Sequence, residues 1–197
     1  MNTPSHAIIN VALLGTFSHQ EMAVPILLGA VLPDLPMYGF YVWTKLVRRL
    51  SEKQIWSFAY YQPFWLNINH GFHSIPLAGL AMGICYFGNW QAAGWFFGSA
   101  LLHCLEDFPV HNHDAHRHFL PFSSYKFVSP ISYWDLRKYG FWVSLGEKLL
   151  VFAATCSLWG WWDSGIGRGI LLAVNFVYIT SHIYVLWKYP IALSWKS

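Results

Sequence analysis

Apolar residues in this chain come in long runs separated by short polar breaks. His6 to Ser18 and Met22 to Leu32 form a first pair of 13 and 11 residues, interrupted by His19, Gln20 and Glu21 and stopped at Pro33-Asp34. As helices each covers less than ~20 Å, against ~30 Å of hydrocarbon. The pair is therefore an N-terminal hairpin of short helices or one broken membrane helix. Residues 35–69 interleave Lys45, Arg48, Arg49 and Lys53 with Tyr38, Tyr41, Trp43, Trp56, Tyr60, Tyr61 and Trp65. That mixture describes interfacial helices in the headgroup layer, or an ordinary amphipathic helix packed on a bundle.

Ile75 to Phe87, a Gly88-Asn89 turn and the run from Trp90 to Leu105 predict a membrane hairpin. Gly79, Gly83, Gly94 and Gly98 suit close helix contact within it. An irregular segment, 119–138, follows. Phe141 to Trp162 and Ile170 to Trp187, turning at Asp163 to Gly167, predict a second hairpin over about 141–188. The expected fold class is all-α: a polytopic membrane helical bundle forming a single domain over 1–197. It has two membrane hairpins, an N-terminal short-helix hairpin and interfacial helices.

Composition agrees with a membrane protein. Charged residues make up 11% of the chain and apolar residues 55%, where soluble domains carry about 25% charge. The net charge of +3 is scattered rather than gathered on a basic face, so nucleic-acid binding is not indicated. Cys85, Cys104 and Cys156 are odd in number and lie in apolar runs, so they read as reduced, buried small residues. No Lys or Arg precedes the first apolar run, which argues against a removable signal peptide. Lys45, Arg48, Arg49, Lys53, Arg117, Lys126, Arg137, Lys138, Lys188 and Lys196 fall in the longer segments and the tail. The turns at 19–21, 88–89 and 163–167 carry no Lys or Arg. The positive-inside tendency puts the busy segments, and any site they form, on the cytoplasmic side of a multi-pass integral membrane protein.

The chemistry concentrates between His103 and His118, where five of the ten histidines and three of the nine acids fall within 16 residues. His103 and Asp107 are spaced i, i+4 and share a helix face, so their nitrogen and oxygen can grip one divalent cation. Pro109 ends the helix near Phe108. His111, His113, Asp114, His116 and His118 then lie in a loop able to fold back on that pair. The hairpins bring His6, Asp34, His70 and His73 to the same end. Asp34 suits a bridging position, because a carboxylate has two oxygens. His73 shares a face with His70 and is a candidate ligand or proton donor. Asn69, Asn112 and Asp114 are candidates for orienting imidazoles. Glu147, about two turns into an apolar run, is either a functional acid or the partner of Lys148 or of a neighbouring helix. His182 stands near the same end of the last run.

The ordered set Ser5-His6, Leu32-Pro33-Asp34, His70-x-x-His73-Ser74, His103-x-x-x-Asp107 and Leu120-Pro121-Phe122-Ser123 resembles the membrane-bound, metal-dependent hydrolase family. That family is itself similar to zinc-dependent phospholipase C and related zinc nucleases. The likeness spans roughly residues 4 to 124. It implies an all-helical protein that uses one to three zinc ions, or another divalent metal, to activate water against a phosphoester. Carried over by position, His6, Asp34, His70, His103 and Asp107 are implied ligands, followed by His113 or His111. Asp34, His73 and Asp107 are the implied catalytic residues, and Glu147 is a further candidate ligand. Two departures stand out: the soluble relatives bind metal through an N-terminal tryptophan amine where this chain has Met1, and the 111–118 insert is longer than a plain spacer.

The leading expectation is a metal-dependent phosphoester hydrolase acting on a phospholipid or another amphiphile at the bilayer surface. The alternative is a catalytically silent accessory subunit of a larger membrane assembly, with a structural metal site and partner subunits on its aromatic faces. Metal transport fits less well, because ligands along an intramembrane path are few.

Overall fold

The computed structural model describes residues 1–189; Lys196 and the rest of the tail from Pro190 lie outside the described residues. Among the described residues the chain is helical, with no strand, apart from the irregular segment between 108 and 139 and short connections. The helices are α1 (Thr3–Gly15), α2 (Ala23–Val31), α3 (Leu35–Val42), α4 (Glu52–Ser57), α5 (Pro63–Phe72), α6 (Ile75–Phe87), α7 (Gln91–Asp107), α8 (Gly140–Trp161) and α9 (Gly165–Lys188).

Pro33-Asp34 does not stop the second apolar run. A 3-10 turn over Leu32–Asp34 tightens the backbone there, and α3 continues from it. Proline is tolerated in the first turn of such a segment, where its missing N–H has no partner to lose. The result is one helical stretch from Gln20 to Val47, 28 residues, closing in a π-helical turn over Trp43–Val47. With Gly140–Trp161 and Gly165–Lys188 it makes three helices long and apolar enough to cross a membrane. The run 75–105 divides at Gly88-Asn89 as the sequence predicts. Its helices pack side by side, but α6 has 13 residues and α7 has 17, about 20 and 26 Å.

α7 is the hub. It packs against α2, α6 and α1, and α1 in turn packs against α2 and α8. Ile8, Ile9, Val11, Ile26, Val151, Leu158, Leu171 and Tyr178 form the apolar core at the end away from the histidines. The closest backbone approach falls at Gly29, where a Cβ would lie 2.0 Å from the Phe96 carbonyl oxygen. Gly79 and Gly83 face open space, so the close contact lies between α2 and α7 rather than at the small residues of α6. Cys85 and Cys104 are buried as expected, whereas Cys156 is exposed on the outer face of α8.

Candidate metal centre

Ser99, His103 and Asp107 recur every fourth residue and form one buried polar stripe on α7. His6 and Asn10 make the matching stripe on α1. Asn10 donates to the Ser99 carbonyl at 2.9 Å, and the His6 ring stacks on His103 with centroids 3.6 Å apart. Asp34 enters from the α2–α3 junction. His73 sits where α5 ends, next to Ser74, whose hydroxyl caps α6 and also donates to the Leu120 carbonyl at 2.5 Å. The loop after α7 folds back as expected and brings His111, His116 and His118 over the pair.

Two donor sets result, and they share one residue. Asp34, His73, His103 and Asp107 offer ligand atoms all within 4.8 Å of one another, and so do Asp107, His111 and His116. All these residues are buried. Asp107 turns Oδ2 toward His103 Nε2 (3.2 Å) and His73 Nε2 (3.7 Å), and Oδ1 toward His111 Nε2 (3.3 Å). The sharing carboxylate is therefore Asp107, whereas Asp34, expected in that role, belongs to the first set alone.

The imidazole tautomers are fixed by what lies behind each ring. His103 Nδ1 donates to the Ala30 carbonyl at 2.6 Å, His73 Nδ1 to the Asn69 carbonyl at 2.9 Å and His118 Nδ1 to the His73 carbonyl at 3.0 Å. A carbonyl only accepts, so the proton sits on Nδ1 and Nε2 presents a lone pair. His111 Nδ1 likewise meets Asp114 Oδ2 at 3.0 Å, a carboxylate–histidine arrangement that orients metal ligands. The Nε2 atoms of His73, His103, His111 and His118, and Nδ1 of His116, are buried without a hydrogen-bond partner. Lone pairs facing carboxylate oxygens at 3.2 to 3.8 Å repel unless a cation lies between them. The donor set thus fits a metal ion and can hold one.

Where no metal balances it, a proton does. Burial opposes charge on His111, but Asp107 and the hydrogen bonds to Asp107 and Asp114 outweigh it and raise His111 to about 9. Burial would raise Asp114, yet its bond to His111 draws it down to about 2. His118 is held at about 4 by burial and by His73.

Several expected ligands fall elsewhere. His6 lies against Asp107 Oδ1 at 3.0 Å and Glu106 Oε2 at 2.6 Å, beside the sets rather than within them. The Met1 amino group also contacts Asp107 Oδ1. His70 Nδ1 accepts the Arg117 N–H at 3.4 Å, so its buried Nε2 carries the proton and cannot ligate in that tautomer. His113 is exposed, edge-on to Trp134. Glu147 is buried, but one of its oxygens takes the backbone N–H and side-chain amide of Asn2, each at 2.9 Å, and the Ser5 hydroxyl at 2.5 Å. It anchors α1 instead of a metal. His182 meets Lys148 at 3.2 Å, and Asn112 donates to the Ser129 carbonyl, not to an imidazole. Glu106 is the site residue that spacing did not single out, and His116, singled out only as one of the loop histidines, is the one that joins His111 in the second set. His116 stacks on His73 at 3.9 Å.

A cavity of about 570 Å³ opens onto the centre. Asp34, Asp107, Asp114, His111 and His116 lie on its floor and walls, with Tyr38, Trp56, Tyr60, Tyr61, Tyr133 and Trp134 around them. Comparison with protein-family models, curated proteins and solved structures finds no match. The centre is therefore interpreted from its own geometry.

Proposed function

We propose that the chain is a multi-pass membrane hydrolase that holds zinc and cleaves a phosphoester, of a lipid or another amphiphile, in a site facing the cytoplasm. One observation carries this reading: Asp107 is shared by two buried donor sets that open into a cavity of substrate size. The set Asp107, His111 and His116 offers three donors, which leaves the fourth position of a zinc ion to water and substrate as in catalytic sites. Imidazole and carboxylate donors together suit zinc. The family resemblance and the cytoplasmic bias of Lys and Arg point the same way.

Asp34, His73, His103 and Asp107, and Asp107 with His111 and His116, would hold divalent ions, which would supply Lewis acidity toward phosphoryl oxygens and a more acidic water. The protein's own groups do the rest. Asp107 ties the sets together, and Asp114 and the Ala30 and Asn69 carbonyls keep the ligating nitrogens aimed. Asp34 turns Oδ1 toward His73 and His103, while Oδ2 takes the Thr3 hydroxyl, itself 2.8 Å from Tyr38 Oη. Because the Thr3 hydroxyl donates to Asp34 Oδ2, Tyr38 Oη donates to Thr3, and the pair pins the carboxylate at the cavity wall. The aromatic walls exclude bulk water and receive the organic part of the substrate.

The test is metal analysis of the purified protein, with hydrolysis of bis(4-nitrophenyl) phosphate and of phospholipid micelles by wild type and Asp34→Asn. Metal-dependent turnover lost in Asp34→Asn supports the reading. A metal-loaded, inert protein that co-purifies stoichiometrically with other membrane proteins would establish the accessory-subunit alternative instead.

A further inference from the structure

A second cavity, of about 650 Å³, lies where the Gln20–Val47 helix ends. Its walls are Phe40, Trp43, Leu50, Phe58, Phe64 and Trp65, with Thr44, Gln54, Ser57 and Gln62 as polar groups and Arg48 as the charge. No Asp or Glu lines it. Arg48 stacks on Trp43, 5.3 Å from the ring centroid, and among the described residues makes no ion pair. The neighbouring acid, Glu52, is already bound by Lys45 at 2.6 Å. The metal-site cavity is the opposite case, with three aspartates and no Lys or Arg in its lining.

Depth decides what such a pocket meets. Around it Lys45, Arg49 and Lys53 interleave with Trp43, Trp56, Tyr60, Tyr61 and Trp65, the composition of the headgroup layer. An uncompensated guanidinium there, set over an indole and flanked by the Gln54 and Gln62 side-chain amides, matches a phosphodiester. The exposed Phe58 and Phe64 lie where acyl chains would begin. We infer that this pocket binds the headgroup of one anionic phospholipid, with Arg48 on the phosphate. The site is separate from the metal centre and does not depend on the hydrolase reading.

The experiment is native mass spectrometry of protein reconstituted in phosphatidylcholine bilayers containing a minority of phosphatidylglycerol, then released into detergent. Wild type is expected to retain one phosphatidylglycerol and to discriminate against phosphatidylcholine. Arg48→Ala should lower retention about fivefold, the weight of one basic side chain at an anionic surface. Lys53→Ala, exposed and outside the pocket, should leave retention unchanged. Ala59 also lines the cavity, and Ala59→Trp should displace the lipid by filling it while keeping Arg48. Equal retention of both lipids, no loss in Arg48→Ala, or equal losses in Arg48→Ala and Lys53→Ala would overturn the inference. A thermal melt of Arg48→Ala in detergent that matches wild type shows that the variant is folded, and it keeps this test apart from that of the metal centre.

Discussion

His103 Nε2 faces Asp107 Oδ2 at 3.2 Å while His103 Nδ1 is committed to the Ala30 carbonyl at 2.6 Å. Neither facing atom carries a proton in that arrangement, and both are buried. Between Asp107 Oδ1 and His111 Nε2, at 3.3 Å, a proton on His111 takes that place until a metal displaces it. A cation at each place removes the repulsion. Because Asp107 serves both, Asp107→Asn should weaken metal binding in both sets. Its loss should exceed the about 10–100-fold that follows removal of an orienting partner. Metal analysis after dialysis against a weak chelator checks this, and full retention in Asp107→Asn would remove the basis for a shared centre.

Asp114 touches the centre only through His111 Nδ1 and also takes the Trp134 indole N–H at 3.0 Å. Asp114→Asn should therefore weaken only the set containing His111, by about 10–100-fold. Titration with cobalt, read by its visible absorption, is expected to keep one tight binding step and shift the other. Two unshifted steps would show that Asp114 does not orient His111.

Metal-stripped protein should be most stable near pH 6.5. Burial, with Lys126 and Arg117, holds His70 down to about 3, and burial with His73 holds His118 to about 4. In the unfolded chain both take up protons near 6.5. The unfolded state thus binds more protons between those limits, and stability falls as pH drops below about 6.5. His111, raised to about 9, acts in the other direction: its contribution is complete below about 6.5 and is lost as pH rises toward 9. Melting temperatures of the apo protein across pH 4 to 9 should describe a dome, and a monotonic profile would contradict these assignments.

How far the sequence discloses the centre follows from the range of its interactions. The i, i+4 pair His103 and Asp107 is helical geometry and could be read directly, as could the break at Pro109 that frees the histidine loop. Which histidines turn inward depends on distant backbone. The Ala30, Asn69 and His73 carbonyls set the tautomers of His103, His73 and His118, and the Arg117 N–H sets that of His70. None of these partners has a sequence signal. Pro33 misled for a similar reason, since a 3-10 turn lets the helix pass a proline that local propensity takes as a stop. Glu147 was visible as an acid in an apolar run, but its partners Asn2 and Ser5 lie more than 140 residues away.

That anchoring role makes its own prediction. Glu147 takes three donors from the start of α1, and Ser5 continues the chain to Tyr178 Oη at 2.8 Å. Glu147→Ala strands those donors and should lower stability by about 1–3 kcal/mol. Glu147→Gln keeps an acceptor and should lose less. Chemical denaturation in detergent separates the two, and equal stability of Glu147→Ala and wild type would leave α1 held by its apolar face alone.

Gly29 tests whether helix packing sets the metal geometry. A Cβ there would meet the Phe96 carbonyl oxygen at 2.0 Å and Ser99 Cβ at 3.0 Å, so α2 and α7 would have to separate. The same interface carries the Ser99 hydroxyl bond to the Ile26 carbonyl at 2.6 Å and the Ala30 carbonyl bond that aims His103. Gly29→Ala is therefore expected to cost about 1–3 kcal/mol of stability and to lower metal occupancy. Gly79→Ala, with nothing within 4 Å of the new Cβ, should stay within about 0.5 kcal/mol of wild type. Thermal melts and metal content of the two variants, measured side by side, make the comparison. If Gly29→Ala melts with wild type and keeps its metal, the α2–α7 contact is not what aligns His103 with Asp107.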